Sequence, residues 1–159
     1  MENTFDKYAD SFDKIYVSKA AKATFYKVLC NISLNDNDDQ QKLVKPFANN
    51  NVVAVFCSTI GVLKSTRSEL ESIEINRATG KKSGEFSFIK QMRTVDKNCI
   101  LEVAVRAKHQ KDFTNNPDEK VSEWISKYCA FGIEWLAKYY KDHKDNFSLK
   151  DLHDELAKK

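Results

Sequence analysis

The sequence predicts a mainly α fold, a single compact helical domain, and three observations carry that expectation. Four glycines and two prolines among 159 residues are too few for the tight turns a sheet protein needs. Apolar residues recur at three- and four-residue steps, the period of one helix face. Ser, Asp and Asn stand just ahead of several of these runs, where a side-chain oxygen satisfies the exposed N–H groups of a first turn. The pattern leaves room for one short β-hairpin near residues 71–92.

Taken in order, Phe5, Tyr8 and Phe12 share one face of a short N-terminal amphipathic arm, residues 1–14, opposite Asp6, Lys7, Asp10 and Asp13. This face either docks a partner or folds back on the chain's own core. Ser18 caps a helix to about Ile32 whose inner face is Phe25, Val28, Leu29 and Ile32, and the polar tract 35–41 reads as a loop. Asn50 or Asn51 opens a helix through Leu63 that is apolar nearly all round, which places it at the centre of the fold; its β-branched residues leave a buried strand as the alternative. Ile73 and Ile75 alternate as an extended segment, a turn follows from Gly80 to Gly84, and Phe86, Phe88 and Ile89 form an answering strand or begin a helix.

Asp96 caps a helix to about Lys108 with Ile100, Leu101, Val103, Ala104 and Val105. Asn116 and Pro117, followed by Asp118 and Glu119, read as the start of the longest helix, running to about Asp142. Its stripe is Val121, Trp124, Ile125, Tyr128, Phe131, Trp135, Leu136 and Tyr139. Gly132 inside it costs about 1 kcal/mol relative to alanine, so its expected use is the close approach of another element. Ser148 and Asp151 suggest a capping box for a last helix, with Leu149, Leu152 and Leu156 on the side that docks on a partner or on the domain itself. The expected organisation is an arm at 1–14, a helical core at 15–142 and a C-terminal helix at 147–159.

Composition narrows the function classes. With 31% charged and 42% hydrophobic residues, the chain is too apolar for disorder and too polar for a membrane protein. No run approaches the roughly 20 apolar residues of a membrane span, and the first residues are acidic where a secretion signal is basic. Cys30, Cys57, Cys99 and Cys129 stand far apart in apolar runs, as buried thiols of a reducing cytoplasm do. The expected location is cytoplasmic, with no membrane partner.

Signatures of chemistry are sparse. Zinc sites bring thiolates or imidazoles together in close pairs, and neither the cysteines nor His109, His143 and His153 are so paired in sequence. The segment ATGKKSG has one glycine ahead of its lysines and leads into no clear helix, unlike a phosphate loop. No cysteine has a histidine beside it to act as base. The expectation is no catalytic residue, no metal and no cofactor.

Surfaces remain. Residues 61–111 carry eleven basic and six acidic residues, a net +5, whereas residues 112–159 carry eight basic and ten acidic. Within the basic third, Lys64, Ser65, Thr66 and Arg67 follow the apolar helix, and these side-chain types commonly hold phosphates. Arg77, Lys81, Lys82 and Arg93 would extend such a patch. The competing reading is that cations at a helix C-terminus stabilise its dipole.

Three segments, VVAVFCSTIGVLKSTRSEL, CILEVAVRAKHQKD and EKVSEWISKYCAFGIEWL, over about residues 50–142, resemble in order and pattern the bacterial DNA phosphorothioation-associated protein 4 family. Its members show an apolar VFAA-x-GF run before a basic turn, a second apolar helix ending in a charged residue and Asp, and a FEEYANGGLEIL segment. The resemblance implies a small non-catalytic accessory subunit in a bacterial DNA-modification or anti-phage (antiviral) defence operon, bridging larger ATPase or nuclease subunits. It carries over no catalytic residue. The first reading is therefore protein–protein interaction through Phe5, Tyr8, Phe12, Leu149, Leu152 and Leu156. The second is duplex DNA binding through the basic turn, and the third an enzyme whose site is assembled from distant residues.

Overall fold

Two helices that touch backbone to backbone organise the molecule. The computed structural model describes residues 13–32, 34–36, 42–80 and 83–158. Helix α2 (Asn50–Lys64) and helix α7 (Val121–Asp142) cross through their glycines. A Cβ on Gly61 would lie 2.3 Å from the Tyr128 carbonyl oxygen, and one on Gly132 would lie 1.8 Å from that of Cys57. As the number rises by four on α2 it falls by four on α7, so the helices run antiparallel. Ala54, Cys57, Ser58 and Gly61 make the α2 side of this seam, all buried, at the spacing of a single helix face. The sequence-based expectation of a central apolar helix and of a close approach at Gly132 is what the structure contains.

The remaining elements pack around this pair. Helix α1 (Lys19–Lys27) lies on α7, with Ser18 capping it through the Ala21 amide. It stops five residues short of Ile32. The Asn31 side-chain amide donates to the Tyr26 and Lys27 carbonyls and the Cys30 thiol to that of Tyr26; side chains thus take up the last-turn carbonyls, and Leu29–Asn31 forms a 3₁₀ turn. Strand β1 (Lys14–Tyr16) pairs antiparallel with β4 (Glu85–Phe88), with Ile15 opposite Ser87. The Tyr16 amide donates to Ser126 Oγ, which fixes this pair on α7. A second pair, β2 (Leu34–Asp36) with β3 (Lys42–Val44), takes in Asn35 and Asp36 from the start of the tract read as loop, whose residues 37–41 lie outside the described residues.

The fold is mainly α, with its strand in the 71–92 window at β4. That strand finds its partner in β1, far earlier in the chain, with Lys14 opposite Phe88 and Tyr16 opposite Glu85, while the stretch around Ile73 and Ile75 joins no ladder. Asn76 lies beside the pair through single backbone bonds to Val17 and Gly84. Helix α3 (Arg67–Glu71) follows α2 directly, and α4 (Ile89–Val95) follows β4, so the Phe86 to Met92 run is strand and then helix. Helix α5 (Ile100–Lys108) is succeeded by a short α6 (Gln110–Asn115) that the sequence pattern does not announce. Helix α7 starts at Val121 and not at Pro117, because the Asn116 side chain accepts from the Asp118 amide and its carbonyl from Glu119, holding a turn there. Helix α8 (Leu149–Ala157) is capped by Ser148 Oγ accepting from the Asp151 amide. It docks on the domain through buried Leu152 and half-buried Leu156, while Leu149 stays exposed.

Among the described residues, no helix is long and apolar enough to cross a membrane. The backbone contact gives a direct test. Gly132→Ala and Gly61→Ala must each push α2 and α7 apart, so urea denaturation should show losses at the upper end of the roughly 1–3 kcal/mol typical of overpacking. An unchanged midpoint for Gly132→Ala would show that the helices do not meet as described.

Candidate functional site

A groove of about 390 Å³ lies between α2 and α5. Val55, Thr59, Val62 and Leu63 form one wall, Ile100, Leu101 and Ala104 the other, and Val95 and Asp96 close one end. The Thr59 hydroxyl donates back to the Val55 carbonyl at 2.8 Å, so it presents its methyl side. Three large apolar side chains of this lining stand in solvent: Ile100 is 66% exposed, Leu63 56% and Val95 42%. Single exposed apolar residues are ordinary, but a contiguous group marks an interaction site.

The groove wall is held by specific devices. The Asp96 carboxylate accepts from the Ile100 and Leu101 amides at 3.0 and 2.9 Å, as the sequence leads one to expect of a cap. Between them, Cys99 adopts a left-handed backbone, φ 53°, a conformation that costs a non-glycine residue about 1–3 kcal/mol and tends to mark functional positions. This turn sets Ile100 outward at the lip. Behind the groove, buried Glu102 receives Arg93 Nε at 2.8 Å and Nη2 at 3.0 Å, tying α5 to α4.

At the other end of α5 a polar chain runs into the core. Arg67 clasps the Asp112 carboxylate with two bonds of 2.9 and 2.7 Å, and Asp112 lies 3.0 Å from His109 Nδ1. His109 Nε2 meets the Tyr128 hydroxyl, and the imidazole stacks on Trp124 with centroids 3.8 Å apart. Hydrogen bonding to Arg67 above all pulls the Asp112 pKa down to about 2, so the carboxylate is an acceptor only. His109 Nδ1 therefore carries the proton, and Nε2 accepts from the Tyr128 hydroxyl. Burial pushes the Tyr128 phenol up to about 12 and keeps it protonated. Both imidazole nitrogens are occupied and the ring is 4% exposed, so His109 offers a substrate no free nitrogen. The chain ties α3, α6 and α7 together.

Comparison with family models, with curated proteins and with solved structures finds no match. The groove and the polar chain are thus read from this molecule's own residues.

The residues expected to hold phosphate are engaged with the chain itself. Lys64 Nζ donates to the Lys158 carbonyl, Ser65 Oγ to that of Gly61, and Thr66 forms a reciprocal capping box with Glu69. Arg67 binds Asp112 and Glu71. Arg77 pairs with Glu123 at 3.2 Å and lies over the Tyr16 ring, and Arg93 is the partner of Glu102. Lys81 and Lys82, like Phe5, Tyr8 and Phe12, lie outside the described residues. The structure keeps Lys64 to Arg67 together in one turn and sets Arg93 apart on α4.

Neither the groove nor the polar chain is singled out by the sequence reading. One signal for the groove was present: Ile100, Leu101, Val103, Ala104 and Val105 are more apolar residues than one face of a nine-residue helix can bury. His109 and Asp112, three apart, were the readable part of the chain; Arg67, Trp124 and Tyr128 come from other elements.

Acidification should unfold the protein in two stages. Burial is the main influence on His109 and lowers its pKa below 6.5 against the pull of Asp112. The unfolded chain therefore binds this proton first, and stability present above about pH 6.5 falls as the pH drops towards the folded value. Asp112, ordinarily near 3.8 and about 2 in the fold, removes more stability between those values. Urea midpoints from about pH 8 to about pH 2 should show both declines, and His109→Gln should abolish the upper one. A midpoint insensitive to this substitution across pH 7 to 5 would refute the assignment.

Proposed function

We propose that this protein is a non-catalytic, protein-binding accessory subunit that docks a larger partner in the groove between α2 and α5. The observation that supports this is the convergence of Leu63, Val95 and Ile100, all exposed, on one concavity. Such a surface is costly to leave in water and favours burial against another chain. The strained turn at Cys99 adds support, since it holds Ile100 at the lip at a cost to the fold. The setting we propose is the one the family resemblance implies, a bacterial DNA-modification or anti-phage defence complex, with an ATPase or nuclease as the larger subunit.

The test is co-expression of the tagged chain with the products of its own operon, followed by gel filtration with light scattering. A complex of defined mass is expected. Ile100→Glu should remove the partner by costing at least about 2 kcal/mol of binding, roughly thirtyfold, while shifting the free chain's stability by no more than about 0.5 kcal/mol. Retention of the partner by both Ile100→Glu and Leu63→Glu would sink this reading, as would a wild-type chain that elutes alone.

A further inference from the structure

Resting on the docking reading, we infer that the occupant of the groove is an amphipathic α-helix of a protein partner, with acidic side chains flanking its apolar stripe. Both walls are helix ridges: Val55, Thr59 and Val62 at four- and three-residue steps on α2, Ile100 and Ala104 four apart on α5. Two such ridges make a channel that receives the ridge of a third helix. No strand edge borders the channel among the described residues, so an added strand would find no backbone partners there.

The rim decides the charge. Lys97 stands beside Asp96 at one end of α5, and Lys108 lies one turn beyond Ala104 at the other, its Nζ donating to the carbonyl of the groove residue Val62 at 2.9 Å. Lys64, which follows Leu63 on the opposite wall, is spent on the Lys158 carbonyl and adds nothing to this rim. The carboxylates nearby are engaged: Asp96 with the first amides of α5, Glu102 with Arg93, Glu155 with Lys158. The α5 side of the lip thus presents the exposed lysines Lys97 and Lys108 beside an apolar floor, and an acidic flank complements it. A second copy of the chain is disfavoured, because a two-fold contact through this patch would bring the same lysines together.

The experiment is a selection from a displayed library of helical peptides with varied apolar stripes and flanks, captured on the full chain and counter-selected on Ile100→Glu. Enrichment of peptides with glutamate or aspartate beside the stripe is expected. Their affinity should fall at least about tenfold in Lys97→Glu and in Lys108→Gln, each checked by its urea midpoint, and also between low and high salt. Enrichment of neutral or basic flanks would overturn the inference while leaving partner docking intact. No peptide preferring wild type over Ile100→Glu would overturn both. Displacement of the selected peptides by a synthetic peptide of residues 1–12 would overturn it in favour of the chain's own N-terminal segment. Dimerisation that Ile100→Glu abolishes would overturn it in favour of a second copy.

Discussion

The antiparallel crossing of α2 and α7 is the constraint on which the other elements depend. With Gly61 against the Tyr128 backbone and Gly132 against that of Cys57, the two helices come closer than side chains normally allow. Hydrophobic burial alone would tolerate sliding, since apolar surface is indifferent to the exact neighbour. Backbone contact through missing Cβ atoms is not indifferent, because a shift of one residue puts a side chain where none fits. The crossing therefore fixes the register of α2 on α7. Ser58 Oγ, 3.5 Å from the Ile125 carbonyl, lies in the same seam.

That register carries outward to the groove. Tyr128 touches Gly61 through its backbone and His109 through its hydroxyl, so one residue of α7 positions both α2 and the junction of α5 with α6. Lys108, next to His109, lies over the Tyr128 ring and reaches back to the Val62 carbonyl. The two groove walls are thus referenced to the same residue. A buried polar chain of this kind contributes little net energy compared with apolar packing, but it is costly to leave partly unsatisfied. Its effect is to select one arrangement of α3, α5 and α6 on α7 among several of similar hydrophobic merit.

How legible this was depended on whether the signal is local. Helices α2 and α7 each carry a run long enough to define a period, and Ser18, Asp96 and Ser148 cap by reaching residues within five positions. Gly132 stood out because glycine inside a long helix needs a reason. The β1–β4 pair was hidden, since three- and four-residue strands have no measurable period and their partners, such as Ile15 and Ser87, are far apart in sequence. Helix α6 was hidden because His109, whose φ of −111° breaks it from α5, is held there by Asp112 and by Tyr128 nineteen positions on. The groove was half legible: the surplus of apolar residues on α5 could be counted, but which of them faces water depends on where α2 lies.

The charge distribution shows the same limit most sharply. Counted along the chain, residues 61–111 look like a basic patch and residues 112–159 like an acidic one. Folded, the two thirds pair with each other at two points: Arg67 is held by Asp112 and Arg77 by Glu123, each arginine from the basic third and each carboxylate from the acidic third. Arg93 is matched within its own third, by Glu102. The arginines, whose planar forks suit paired carboxylates, are thus absorbed into the fold. The lysines that edge the groove, Lys97 and Lys108, stay exposed, Lys108 with its Nζ on the Val62 carbonyl. The net +5 that suggested a polyanion surface divides into arginines that bind the domain together and lysines at the lip of an apolar channel. A binding role for this region therefore turns on lysine and on apolar contact.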